Sequence, residues 1–166
     1  MANRIGITYF EDFRNIANLS DTVVNTALIK KIDRLEPQFL AYVFGYEFQK
    51  LMLANPTDQI YKDILEGVEF TNASGKLKKW EGINESIANY VYFYWWKERT
   101  PMNGGVSFAA GKVENGIVVN PQDRPIYAWN KIYDALLILS EFLSVNIKDY
   151  PTLEFNNLPK LNSFGI

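Results

Sequence analysis

The chain has 166 residues, of which 48% are hydrophobic and 22% charged, with a formal net charge of -2. That is enough chain for one domain with a real core, and it excludes both the polar, highly charged profile of disorder and bulk electrostatic recruitment by nucleic acid or an anionic membrane. The chain contains no Cys and no His, which excludes disulfides, thiolate chemistry, Ser-His and Cys-His catalysis and imidazole metal sites.

The opening "MANRIGITYFEDF" meets charged residues too early for an apolar leader, and no later window is a membrane span. The expectation is a soluble protein made in a cytoplasm. "LSDTVVNTALIKKIDRLEP" predicts a first helix, with Ser20 as N-cap, Asp21 in the first turn, and Val24, Ala27, Leu28, Ile32 and Leu35 at helical spacing. A restart at Pro37 predicts a second helix that carries Leu40, Val43, Phe44, Phe48, Leu51 and Met52 to a stop at Asn55-Pro56. "TDQIYKDILEG" predicts a short third helix closed by Gly67.

At 68–80 the period changes. Val68 and Phe70 alternate, Asn72 to Gly75 form a turn, and Leu77 and Trp80 follow, which predicts a β-hairpin. "INESIANYVYFYWWKER" then gives a strong helix over 82–99, with Ile83, Ile87, Tyr90, Val91, Tyr94 and Trp95 on one face. Tyr92, Phe93 and Trp96 fill the opposite face, and a helix apolar all round is buried all round. After "TPMNGGVSFAAGKVENG", a last long helix over 123–145 starts at Asp123 and Pro125 and buries Trp129, Ile132, Leu136, Leu139 and Leu143. Residues 147–166, with apolar side chains every two or three positions, predict an extended arm that needs a surface.

The Gly-rich segment is not a phosphate loop: its glycines are too far apart, Lys112 precedes Val113 rather than Ser or Thr, and a helix leads into it. Val106, Phe108 and Ala110 alternate on one limb and Ile117 to Val119 form the other, so 103–119 is expected to be a second hairpin or an arm. Carboxylates are the remaining acid-base groups. Asp63 and Glu66 share a helix face and suit a hard cation or a catalytic pair, and equally an ordinary solvated face. Lys76, Lys78 and Lys79 on the first hairpin are possible DNA-facing residues, and equally a solubilising strand edge. With 10 Tyr, 11 Phe and 4 Trp, a small domain has few ways to cover so much aromatic surface, so the second face of helix 82–99, the Gly-rich segment and the arm are expected to meet partner subunits.

The order of elements resembles a known family. A helical N-terminal half, "LKKWEGI" leading into "NYVYFYWW", a Gly-rich insertion ending in "KVENG", the restart "VNPQDRPIYAWNK" and a closing helix together resemble the head-to-tail connector (adaptor, or head-completion) proteins of tailed bacteriophages, particularly those of Bacteroidetes phages and prophages. The similarity runs roughly from residue 20 to 145, with "KxEN" at Lys112 to Asn115 and "AWN" at Ala128 to Asn130 as its local signatures. It implies a structural virion protein at the neck: a ring, commonly twelvefold, that joins the portal to the tail and passes DNA without sequence specificity. It implies no enzyme, cofactor or metal.

The expected fold is thus mainly α: a bundle of four to five helices over 1–146, with hairpins near 68–80 and 103–119 and an extended arm over 147–166. Interface candidates are Tyr92, Phe93, Trp96, Val106, Phe108, Ile117, Val119 and Phe155. The readings from other classes are a small carboxylate-dependent enzyme or metal-binding protein using Asp63 and Glu66, and a bacterial protein-interaction domain.

Overall fold

The computed structural model describes residues 3–10, 22–99, 123–150 and 153–161. Among them are five α-helices, α1 (Thr22–Phe44), α2 (Tyr46–Ala54), α3 (Gln59–Glu66), α4 (Asn84–Arg99) and α5 (Asp123–Asn146), and two strands, β1 (Val68–Thr71) and β2 (Leu77–Trp80). Short 3-10 turns cover Ile7–Phe10 and Ile147–Asp149. The chain is therefore a mainly α bundle with a hairpin where the change of period predicts one. The second expected hairpin, at 103–119, lies outside the described residues.

The N-terminal half divides at a different place from the one the sequence suggests. Pro37 does not start a helix; it lies inside α1, which runs unbroken to Phe44. Leu28, Ile32, Leu35, Phe39 and Val43 are all buried along that helix, so the core-facing stripe keeps its phase across the proline. Each such side chain contributes about 1.5–3 kcal/mol on full burial, which together outweighs the roughly 3 kcal/mol that an interior proline costs. The actual corner is Gly45, at φ 77 and ψ 152, a left-handed conformation that side chains with a Cβ adopt reluctantly. Gln49 of α2 folds back and donates its side-chain amide to the Pro37 carbonyl at 3.0 Å.

α4 packs against α5 and α1 and also meets the turn Ile7–Phe10. On α4, Ile87, Ala88, Val91, Tyr92 and Trp95 are buried. Between α3 and α4 the hairpin pairs antiparallel in the register Val68↔Trp80, Glu69↔Lys79, Phe70↔Lys78 and Thr71↔Leu77. Strand alternation therefore places Val68, Phe70, Lys78 and Trp80 on the inner face and Glu69, Thr71, Leu77 and Lys79 outside. The Asn72 side chain shapes the turn by accepting the backbone N–H of Ser74 at 3.1 Å and of Lys76 at 3.0 Å.

The base of the hairpin is pinched between two glycines. Trp80, 2% exposed, donates its indole N–H to the Ile64 carbonyl at 2.8 Å, drawing β2 onto the end of α3. Gly67 (φ 104) would bring a Cβ to 2.4 Å from the Trp80 carbonyl oxygen, and Gly82 (φ 89) would bring one to 2.8 Å from that of Leu65. Both obstacles are backbone and cannot rotate aside.

Two outcomes test this account. Gly67→Ala should cost on the order of 2–4 kcal/mol in urea unfolding, whereas Gly75→Ala, at φ 74 with nothing within 4 Å, should cost only about 1–2 kcal/mol from backbone strain; equal costs would contradict the pinch. Pro37→Ala restores a helical N–H, and after allowing for the looser unfolded chain it should stabilise by about 2 kcal/mol.

Candidate interaction surfaces

The aromatic helix is covered over much of its surface by its own chain, which corrects the expectation for Tyr92, while Phe93 and Trp96 stay half-buried. Tyr92 is 4% exposed, so this interface candidate is a core residue. Phe93 is half-buried, with its ring 4.6 Å from that of Trp129 on α5, and Trp96 is half-buried with its ring 6.3 Å from Tyr92. Tyr90, also half-buried, lies 4.9 Å from Phe39 of α1 and 4.8 Å from Tyr94. Burial first, and then a hydrogen bond with Tyr94, pushes the Tyr90 phenol well above its usual range, so it stays neutral and holds α1 to α4 as an uncharged group.

The arm also finds its surface within the chain. Residues 153–161 run in extended form over the α1–α2 corner and α5, with Phe155 half-buried and Leu158 buried. The backbone N–H groups of Glu154 and Asn156 reach the carbonyls of Phe44 (3.3 Å) and Val43 (2.9 Å), which are the orphan acceptors at the end of α1. At its other end the strap meets the "AWN" signature: Trp129 donates to the Pro159 carbonyl at 2.7 Å. Asn130 both accepts from the Leu161 N–H and donates to the Leu161 carbonyl, each at 2.9 Å. The interface candidates Val106, Phe108, Ile117 and Val119 lie outside the described residues.

The hairpin lysines are not an open cationic patch. Lys78 lies on the inner face and pairs with Glu141 of α5 at 2.6 Å, while Asn72 donates to the same carboxylate at 2.9 Å. Those two contacts hold the Glu141 carboxyl below the usual carboxylate range and clamp the hairpin to α5, beside the Phe70–Phe142 ring contact at 5.4 Å. Lys79 pairs with Glu81 at 2.9 Å and lies across from Glu69 in the register. Of the three possible DNA-facing residues, only Lys76 has no ion-pair partner among the described residues.

Asp63 and Glu66 have separate local partners. Gln59 donates to Asp63, and Glu66 is 3.8 Å from Lys62 one turn away. Among the described residues no three carboxylates converge on a point that could hold a metal ion, and no helix is long and apolar enough to cross a membrane.

No family model, curated protein or solved structure matches this chain.

Sequence reasoning misses two features. The first is a set of apolar side chains left in solvent on four different elements: Val23 (77% exposed) on α1, Tyr46 (72%) on α2, Leu77 (73%) on β2 and Tyr127 (60%) on α5. Strand alternation from Trp80 could have marked Leu77 as outward, but nothing local marks Tyr46. The second is the docking of the N-terminal segment on a buried carboxylate. Glu36, 4% exposed, accepts the backbone N–H of Arg4 at 2.9 and 3.1 Å and that of Ile5 at 3.4 Å. Arg4 in turn donates through Nε to the Asn84 side chain at 3.1 Å, tying the segment to the start of α4.

Burial raises the pKa of Glu36 despite those donors and Arg4, so between the ordinary value and the raised one the native state keeps a proton that the unfolded chain has lost. Its contribution to stability therefore falls as pH rises through that window. Glu98 and Glu141 have lowered pKa values, the first mainly through Lys31 and then Arg34, the second through Lys78 and then Asn72. Their contributions are present above the ordinary value and fall as pH drops below it. In urea unfolding from about pH 4 to about pH 8, wild type should therefore lose stability relative to Glu36→Gln as pH rises; a difference independent of pH would contradict this environment for Glu36.

Proposed function

We propose that this chain is a structural subunit of a bacteriophage neck, one of several copies in a ring, commonly twelvefold in the proteins it resembles, that joins portal to tail and passes DNA through its lumen. The observation that carries the reading is the pairing of the connector-like order of elements with a helical bundle that closes its core internally and still leaves Val23, Tyr46, Leu77 and Tyr127 in solvent. A subunit that folds before it assembles needs that combination: a finished interior, and apolar anchors left outside it.

The charge pattern supports a lumen rather than a grip. Lys78 and Lys79 are neutralised by Glu141 and Glu81, so they add little counterion release on meeting phosphate, and a channel that must let DNA slide benefits from weak contact. In this reading the partners are further copies of the chain, the portal protein, and tail or other neck proteins, and the chain works by packing rather than chemistry. The half-buried Phe93, Trp96 and Phe155 keep partly open edges as contact candidates. Residues 103–119 reach a neighbouring subunit, the portal or the tail.

Mixed with a portal protein, the purified chain should give rings in negative-stain images. Removal of residues 103–119 should leave the helical circular dichroism intact and abolish that assembly. A chain that stays strictly monomeric and never binds portal would overturn the reading, as would a deletion that still supports infectious particles.

A further inference from the structure

The strap over residues 153–161 has no regular secondary structure, and Leu158 is the one buried side chain in it. Its hydrogen bonds to α1 and α5 fall on the main chain at 154, 156, 159 and 161, with one from a side chain, Asn156 Nδ2 donating to the Tyr42 carbonyl at 3.1 Å. The two-way bond between the Asn130 side-chain amide and the Leu161 backbone holds an extended segment whatever side chain it carries. Main-chain bonding with one side chain seated in the core and Leu153, Phe155 and Leu161 packed against it is how a protein binds an extended peptide.

We propose that the groove between the Gly45 corner and the Trp129–Asn130 pair is a binding site for an extended peptide, and that in an assembly it takes residues 153–161 of a second copy of this chain. Every copy carries the same segment, so the complementarity seen within one chain holds between copies: the donors of 154 and 156 for the end of α1, Leu158 for the buried position, and Lys160, which lies 3.8 Å from Asp134. Release is cheap at the α1 end, because helix-terminal carbonyls can be satisfied by water once the strap leaves. In a closed head-to-tail ring, each subunit that gives its strap to one neighbour receives one from the other, and no groove is left empty. That extension to a ring rests on the connector reading; the peptide site itself does not.

Two experiments on the full chain test the proposal. In wild-type hydrogen exchange, the amides of Asn156 and Leu161 should exchange by local opening at least about 100-fold faster than those of Ile87 and Val91 in α4, as a releasable strap requires; exchange together with the α4 amides would overturn the proposal. In the second, Leu158→Asp ejects the chain's own strap, and a fluorescent peptide with the sequence of residues 153–161 is added. The folded variant should bind it saturably. Wild type should need at least about tenfold more peptide because its own strap competes at high effective concentration. Adding Asn130→Ala should weaken binding about tenfold or more. A folded Leu158→Asp chain that binds no peptide overturns the proposal, and so does loss of helical circular dichroism in that variant, which would make the strap part of the core. Peptide binding without rings would sink the connector reading alone, and rings without peptide binding would sink this one alone.

Discussion

A helix with aromatic or aliphatic side chains on every side has to be enclosed, and most of this structure is organised around enclosing α4. α1 and α5 take its two broad faces and the turn Ile7–Phe10 also packs on it, leaving Val91 fully buried and Tyr92 and Trp95 nearly so. The length of α1 follows from this demand. A helix broken at Pro37 would interrupt the stripe from Leu28 to Val43 where Phe39 must reach Tyr90, so the proline is absorbed at a local cost. The N-terminal segment is fixed for the same reason: Arg4 and Ile5 dock on Glu36 so that Ile5 and Phe10 can complete the wall. A buried carboxylate is an expensive anchor, and it is tolerated because two backbone donors and Arg4 surround it.

The hairpin follows a second rule, close backbone approach. Because Trp80 reaches the Ile64 carbonyl, the end of α3 and the start of α4 cross within a distance that admits no Cβ at Gly67 or Gly82. The pinch fixes the hairpin's inner face toward α5, and the inner face carries Lys78. A lysine there needs a counter-charge, and Glu141 supplies it. Lys78, one of the three possible DNA-facing residues, is thus explained by hairpin docking: it is already committed to a carboxylate.

What could be read in advance follows the range of the forces involved. Short-range signals were sufficient for the hairpin, where Val68 and Phe70 alternate before an Asn-Gly turn region, and for α4 and α5, whose apolar spacing runs over several turns. Pro37 misled because its preference for a first turn is local, whereas the stripe that overrides it is satisfied by tertiary contacts. Gly45 is silent in the sequence because its positive φ of 77 belongs to the folded backbone, and the strap residue it passes closely, Glu154, with its Cβ 3.0 Å from where a Gly45 Cβ would be, lies more than a hundred residues along the chain. Periodicity shows that α4 must be covered all round but not by what: Tyr92 is buried within the chain and Phe93 meets Trp129 of α5, while Phe93 and Trp96 stay half-buried. Pairings such as Lys78 with Glu141 are likewise invisible to any window, and they decide which lysines are available.

Closure of the core within one chain changes what an assembly of this protein can rest on. If α4 needed a neighbour, folding and association would be one event and the subunit would have no stable monomer. With α4 largely covered by its own chain, the association proposed above would instead draw on exposed side chains such as Tyr46 and Leu77, which stand out from the surface on separate elements. Dispersed anchors of this kind favour contacts that form only when several are engaged at once, on a template or in a closing ring, because each alone recovers too little free energy to offset the entropy of association. In the proposed role, a subunit built in this way would remain separate until a partner surface aligns its anchors. For the neck component proposed above, that delay would keep rings from forming away from the portal, and the same closed core would give assembly its order.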